Sequence, residues 1–264
     1  MTALIDFAES AKHYTLSTRL STDGFSFSVG GSSGDGGEVA GGSFEVNVQH
    51  SLAANLKQFL AQTGELGHAY RQVNVLMHTD RYTVMPLDMY EDSLAEKVFY
   101  QNLPRRSNEV VLCNVLGRSG AAVLFGIDKL SHLFLSEHFP NARFFATVSP
   151  LMEYFSVKSR ECGCRSLFVH PTPGMTDVVA FDRGRLRLAN TYPTAAGDDC
   201  CFYLLGVWKS LEYSQEDDRL YLAGMSASAV GRLMERLAKF VRHVEVMEAA
   251  DNIPFDMQSL MLCE

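Results

Sequence analysis

Apolar and polar positions alternate over Thr15–Leu20 and again over Phe25–Val29, with the pair Asp23–Gly24 between them. A period of two around an Asp–Gly dipeptide predicts two strands joined by a hairpin turn. The run Gly30–Ser43, GGSSGDGGEVAGGS, reads as a flexible, low-complexity loop leading into a third strand at Phe44–Val48. The period then becomes helical: Leu52, Leu56, Phe59 and Leu60 share one face, with Ser51 as N-cap. A strand at Val73–His78, an extended Tyr82–Met85 and a helix over Asp92–Leu103 follow. The order to this point is β-β-β-α-β-α.

A hairpin, Val110–Leu116 with Ala121–Ile127, and a helix from Asp128 come next. A strand at Arg143–Val148 then runs into a helix that Ser149 caps and Pro150 opens. After this the first pattern returns. Strands are predicted at Ser166–Val169, Asp177–Phe181 and Arg185–Asn190, followed by a helix over Asp199–Leu211 with Cys201, Leu204, Leu205, Trp208 and Leu211 on one stripe. A strand at Leu220–Ala223 and a helix over Ala227–Phe240 complete the second β-β-β-α-β-α unit, with Val244–Met247 as one further strand.

Two copies of one unit predict an α/β chain of two ribonuclease-H-like repeats, each a mixed sheet with its first three strands antiparallel. The expected division is 1–161, which carries the hairpin and helix as an insertion, and 162–264. In each repeat the third strand falls at a sheet edge. Arg183, Arg185 and Arg187 recur at period two, which places all three on one strand face with Leu186 and Leu188 on the other. Charge on an edge strand guards against edge-to-edge pairing; an anion-binding stripe is the competing reading.

Composition narrows the function classes. The chain has 264 residues, 47% hydrophobic and 20% charged, enough to form a core without a disulfide or metal staple. A net charge of −8 supplies no basic footprint for nucleic acid or anionic lipid. The start, MTALIDFAESAKHY, carries Asp6 and Glu9 and lacks the charged-then-apolar pattern of a leader. No apolar run approaches the ~20 residues that span a bilayer, so the expectation is a cytoplasmic protein without direct membrane insertion. Six cysteines, Cys113, Cys162, Cys164, Cys200, Cys201 and Cys263, lack the paired C-x-x-C spacing of a zinc site. They are expected as free thiols of a reducing compartment, with a metal site that includes His170 as the alternative.

Four segments carry a resemblance: TLSTRLSTDGFSFSV, RYTVMPLDMYEDSLAEKVFYQNL, VHPTPGMTDVVAFDRGRLRLANTYP and DRLYLAGMSAS. Together they span most of the chain, and they resemble the actin-like ATPase superfamily of actin, sugar kinases and heat-shock chaperones. Within it the chain is similar to a bacterial family of unknown function assigned to that fold. It is more distantly similar to the cytoplasmic scaffold domains of type IV pilus and type II secretion assembly proteins. The resemblance implies two lobes with a cleft between them, where the first hairpin turn of each repeat cradles ATP phosphates. It further implies an Asp at the end of the first strand that helps to hold a metal, and a late strand-to-helix glycine that follows the adenosine.

By that resemblance the cofactor-binding candidates are Asp23, Gly24, Thr172, Gly174, Thr176, Asp177, Gly224 and Ser226. The matching is incomplete. The turn Ser21-Thr22-Asp23-Gly24 has no second glycine and no lysine to meet phosphate. GMTD resembles the end of the family's GTTD pattern, yet His170 stands where its strand-ending Asp is expected. A cradle points backbone N–H groups at phosphate, and Pro171 and Pro173 have none. Gly224 and Ser226 match best, although strand–Gly–Ser–helix is also ordinary α/β punctuation with Ser226 as N-cap.

The G-x-S-x-G match at residues 30–34, GGSSG, lies between predicted strands and not at a strand-to-helix elbow, and no H-E-x-x-H or G-K-[ST] phosphate loop is present, so no catalytic residues and no metal ligands are assigned. The expectation is a non-catalytic scaffold or partner-binding protein with degenerate phosphate loops, no cofactor, and a protein partner. Contact with that partner is assigned to Gly30–Ser43 and to the tail NIPFDMQSLMLCE. The competing expectation is an ATP-binding switch, an ATPase or a small-molecule kinase, with Asp23 or Asp177 as the Mg²⁺-associated carboxylate.

Overall fold

The alternating segments at the start do pair as a hairpin. In the computed structural model, which describes residues 11–21, 24–31, 38–194, 199–225, 227–249, 253–260 and 263, β1 (Tyr14–Ser21) runs antiparallel to β2 (Gly24–Gly31) with Ser21 opposite Gly24. β3 (Glu38–Phe44) pairs with β2, and α1 (Leu52–Gln62) and β4 (Gln72–Met77) follow. Then come β5 (Tyr82–Pro86), α2 (Ala95–Asn102), β6 (Glu109–Leu116), β7 (Ala121–Asp128), α3 (Lys129–His138) and β8 (Ala142–Ala146). The second pattern supplies α4 (Val148–Cys162), β9 (Arg165–Thr172), β10 (Gly174–Asp182), β11 (Arg185–Thr194) and α5 (Asp199–Ser210). It ends with β12 (Arg219–Ala223), α6 (Ala227–Leu237), β13 (His243–Met247) and a short α7 (Phe255–Ser259).

Two compact units result. One comprises residues 1–83, 91–114 and 123–147, the other 84–90, 115–122 and 148–264. Each holds a five-stranded sheet, in the orders β3-β2-β1-β4-β8 and β11-β10-β9-β12-β13, while β5-β7-β6 form a third sheet. In both five-stranded sheets the first three strands are antiparallel and the last two add in parallel. The duplicated mixed-sheet architecture read from the pattern is therefore present, with one parallel edge strand more per repeat.

Four local expectations are corrected. The glycine-rich run is not all loop: β2 continues to Gly31 and Glu38–Phe44 is strand, with only residues 32–37 outside the described ones. Glycine is tolerated there because Gly42 lies under the Phe27 ring, where a Cβ would come 2.8 Å from Phe27 Cε1. The third strand ends at Phe44, and the buried Asn55 side chain then stitches the following loop, accepting from Asn47 N–H at 2.8 Å and donating to its carbonyl at 3.0 Å. Helix α4 starts at Val148, so Ser149 and Pro150 lie inside its first turn. Arg183 leaves the arginine stripe. It occupies a two-residue turn with Gly184, both at positive φ (51° and 82°), while Arg185 and Arg187 stay exposed on the edge strand β11.

The second sheet is covered on both faces. Leu167, Val169, Val178, Ala180, Leu220 and Leu222 pack with Leu204, Trp208, Leu233 and Leu237 of α5 and α6. On the opposite face Phe155 of α4 stacks on Phe168 at 4.6 Å between ring centroids, and Phe168 stacks on Tyr221 at 4.7 Å. In the first unit a bidentate ion pair is buried: Arg81 Nε and Nη2 donate to Glu109 at 2.5 and 2.7 Å, and Nη2 also reaches the Pro104 carbonyl at 2.8 Å. Neither side chain is more than 7% exposed. Hydrogen bonding to Arg81 holds the Glu109 carboxyl below its usual range.

Phe168→Ala should destabilise the protein by about 3–5 kcal/mol in urea titrations, as expected for a fully buried aromatic. Phe202→Ala, at a side chain 75% exposed, should stay within about 0.5 kcal/mol. A carboxylate with a depressed folded-state pKa stabilises the fold above its unfolded value, near 4.3, and loses that contribution as pH falls through the folded one. Glu109→Gln should therefore lower stability at neutral pH by about 3–5 kcal/mol. The deficit should shrink on acidification, which paired thermal melts at neutral and acidic pH would measure.

Candidate functional site

The β9–β10 hairpin sits in the second unit, and its turn is much shorter than the seven residues, 170–176, between the strands predicted at Ser166–Val169 and Asp177–Phe181. Thr172 pairs with Met175, which leaves a two-residue connection of Pro173 and Gly174. Proline at the first central position and glycine with φ +80° at the second are the requirements of a type II turn. The Thr172 hydroxyl donates back to the Met175 carbonyl at 3.2 Å. Pro171 is not in the turn at all but lies in β9 opposite Thr176.

One step further from the turn, His170 faces Asp177 across the ladder. The His170 Nδ1 to Asp177 Oδ2 distance is 3.5 Å, and both residues are at most 4% exposed. Neither of those two atoms completes a hydrogen bond. The other Asp177 oxygen accepts from the Thr191 hydroxyl of β11 at 2.6 Å. Thr176 lies 3.0 Å from the Thr194 hydroxyl and donates to the Cys200 sulfur at 4.0 Å. Burial pushes the Cys200 thiol up to about 11, so it is not a thiolate nucleophile at neutral pH.

Gly224 ends the β12 segment at φ +68°, and its N–H donates to the Met247 carbonyl. Its Cβ direction is closed: an added Cβ would lie 2.9 Å from Phe255 Cβ and 3.1 Å from His170 Cδ2. Phe255 belongs to α7 and packs its ring against Tyr154 (5.3 Å), Phe155 (6.1 Å) and His170 (6.2 Å). Phe255, Asp256, Met257, Ser259 and Leu260 are all buried. This part of the tail, expected as a partner contact, is thus docked on its own unit.

Of the predicted site residues, the structure gathers Thr172, Gly174, Thr176 and Asp177 on one hairpin, and it sets Gly224 against His170 below that hairpin. Gly24 opens β2 in the first unit, and Asp23 and Ser226 lie outside the described residues. Thr191 and Phe255 were missed. Thr191 stands opposite Asp177 because the β10–β11 register shifts between Ala180 and Phe181, so counting from the Arg183–Gly184 turn points to Asn190 instead; nothing in the local pattern points to Phe255.

These groups do not fit a nucleotide. The turn has one N–H of its own, that of Gly174, because Pro173 has none. The Thr172 hydroxyl is directed at its own hairpin, and Asp177 is too enclosed to offer the open oxygens that hydrated Mg²⁺ requires. Among the described residues no group of three or more His, Cys, Asp or Glu is placed to hold a metal ion.

Both glycines should resist substitution for reasons of geometry alone. Gly174→Ala is expected to cost about 1–2 kcal/mol from the positive φ. Gly224→Ala adds about 1–3 kcal/mol of overlap with Phe255 and His170. Urea titrations of the two variants would measure the difference.

The fold is shared with solved proteins. A protein from Bacteroides thetaiotaomicron, described as having an actin-like ATPase fold and unknown function, is 40% identical, with 99% of this chain and 100% of that one covered and a TM-score of 0.89. A PilM–PilN type IV pilus biogenesis complex matches at 14% identity and a TM-score of 0.55, covering 94% and 97%. The ethanolamine utilization protein EutJ from Carboxydothermus hydrogenoformans matches at 11% identity and a TM-score of 0.51, covering 94% and 88%. None of the curated proteins matches. The chain therefore has the actin-like ATPase fold. Residues 6–244 match the family described as Protein of unknown function (DUF3822), and the chain belongs to that family.

Proposed function

We propose that the chain is a non-catalytic member of the actin-like fold that binds a protein partner instead of turning over ATP. The observation that carries this reading is the two-residue Pro173–Gly174 turn, which has too few N–H groups to cradle a triphosphate. The closed Cβ direction at Gly224, held by the chain's own Phe255, supports it. A protein partner is suggested by the pilus protein of the same fold that was solved as a complex with another protein. Fold likeness alone does not license function, so the partner belongs to the proposal.

Among the described residues no helix is long and apolar enough to cross a membrane. We place the protein in the cytoplasm, a reading that the thiols of Cys200, Cys201 and Cys263 support, since they form no disulfide among the described residues. A partner would then reach any membrane-bound assembly on this protein's behalf.

Thermal unfolding with and without Mg²⁺ and millimolar ATP tests the proposal. A ligand at about 100 times its dissociation constant stabilises by about 2.7 kcal/mol, several degrees for a protein of this size. No change in midpoint is expected. A shift of several degrees that Gly224→Asp abolishes would establish nucleotide binding and overturn the proposal in favour of an ATP switch.

A further inference from the structure

Helix α4 ends on Cys162 and β9 begins on Arg165, so the chain must reverse within two residues. Gly163 makes this possible at φ +66°. The reversal brings the Cα atoms of Cys162 and Cys164 to 5.3 Å, and a disulfide joins the two side chains. These two were expected as free thiols; among the described residues Cys200, Cys201 and Cys263 form no disulfide. Period and spacing in the sequence did not signal the bridge, because it depends on the left-handed backbone at Gly163.

The bridge is poorly suited to be a staple. Cross-link stabilisation grows with the length of the closed loop, and this loop encloses a single residue. A chain of 264 residues forms its core without one. It is well placed for exchange instead. Cys162 and Cys164 are both partly exposed, Gly163 is exposed, and nothing lies within 4 Å of the Cβ direction at Gly163. The buried Ser166 hydroxyl sits 3.6 Å from Cys164 Sγ and 3.8 Å from Cys162 Sγ. Solvent-accessible disulfides of this kind belong to the labile class.

We propose that Cys162-Gly163-Cys164 is a thiol–disulfide exchange site for low-molecular-weight thiols. An incoming thiolate attacks Cys162 Sγ, the S–S bond breaks, and Cys164 leaves as the thiolate beside the Ser166 hydroxyl before taking a proton from water. Cys162 is the poorer leaving group because it terminates α4, where the helix dipole disfavours negative charge. A second thiolate then attacks the small-molecule sulfur of the mixed disulfide, forming the small-molecule disulfide and expelling Cys162 as a thiolate that takes a proton from water. Two electrons pass to the protein pair, and two external thiols become one disulfide. Oxidised small-molecule disulfide runs the same steps in reverse.

The test uses the full chain, purified without reductant and equilibrated with mixtures of reduced and oxidised glutathione. Acid quenching, alkylation and peptide mass spectrometry read the state of each cysteine. The expected result is reversible, two-electron conversion of the 162–164 peptide while circular dichroism stays native. Cys164→Ser should leave a single glutathione adduct on Cys162, and Ser166→Ala should slow reduction by up to about tenfold, the effect of one lost hydrogen bond. The proposal is overturned if the pair opens only after the protein unfolds. It is equally overturned if excess oxidised glutathione never closes it in the folded protein.

Discussion

The aromatic stack through Phe155, Phe168 and Tyr221 is the contact on which the second unit depends. It ties α4 to β9 and β9 to β12, with ring separations of 4.6 and 4.7 Å and interplanar angles of 13° and 9°. Because β9 lies in the middle of its sheet, Phe168 sets the face on which every second residue of that strand must lie. His170 is the next residue on this face, and Leu167 and Val169 are committed to the opposite core. Phe255 then stacks on Phe155 at 6.1 Å and covers His170. The closure beside Gly224 is thus a consequence of how α4 is seated.

The same register explains the polar pair below the hairpin. Antiparallel pairing places Asp177 opposite His170, and the stack draws that face inward. A carboxylate in such a position needs a donor, which Thr191 supplies from the edge strand at 2.6 Å. The hairpin end is consequently rigid. It is fixed by a proline–glycine turn above, a buried polar pair within, and the α7 segment below. A phosphate-binding loop works in the opposite way, leaving backbone N–H groups turned outward and unsatisfied until the anion arrives.

Much of this architecture is legible in the sequence because it rests on periodicity. The switch from period two to helical spacing occurs twice in the same order, and both sheets adopt the same strand order. Features that depend on contacts between distant segments are not legible. Gly42 reads as loop until Phe27 is seen lying across it, and Arg183 reads as part of a stripe until the turn with Gly184 removes it. Gly184 in turn is held under Arg160 of α4, where a Cβ would come 2.2 Å from Arg160 Cγ. The Arg81–Glu109 pair joins residues 28 apart and gives no local signal at all. Of the candidate site, the hairpin residues are named from a motif, while Phe255, which closes the Cβ direction of Gly224, gives no signal.

Glycine is where sequence and structure part most sharply. Gly174 and Gly224 read in the sequence as ligand-binding candidates on a resemblance, and the sequence does not separate that reading from a purely structural one. In the structure both are at positive φ, at 80° and 68°, so backbone geometry requires glycine at each whether or not a ligand approaches. Gly224 carries a second requirement, since His170 and Phe255 leave its Cβ direction no space. A glycine demanded by the fold therefore carries no information about a ligand. Proline does the opposite: Pro173 takes away an N–H that a cradle would use and stiffens the turn at no cost to the hairpin. Between the two residue types, proline is the more informative about chemistry here, because it fits the hairpin while removing an N–H donor from the turn.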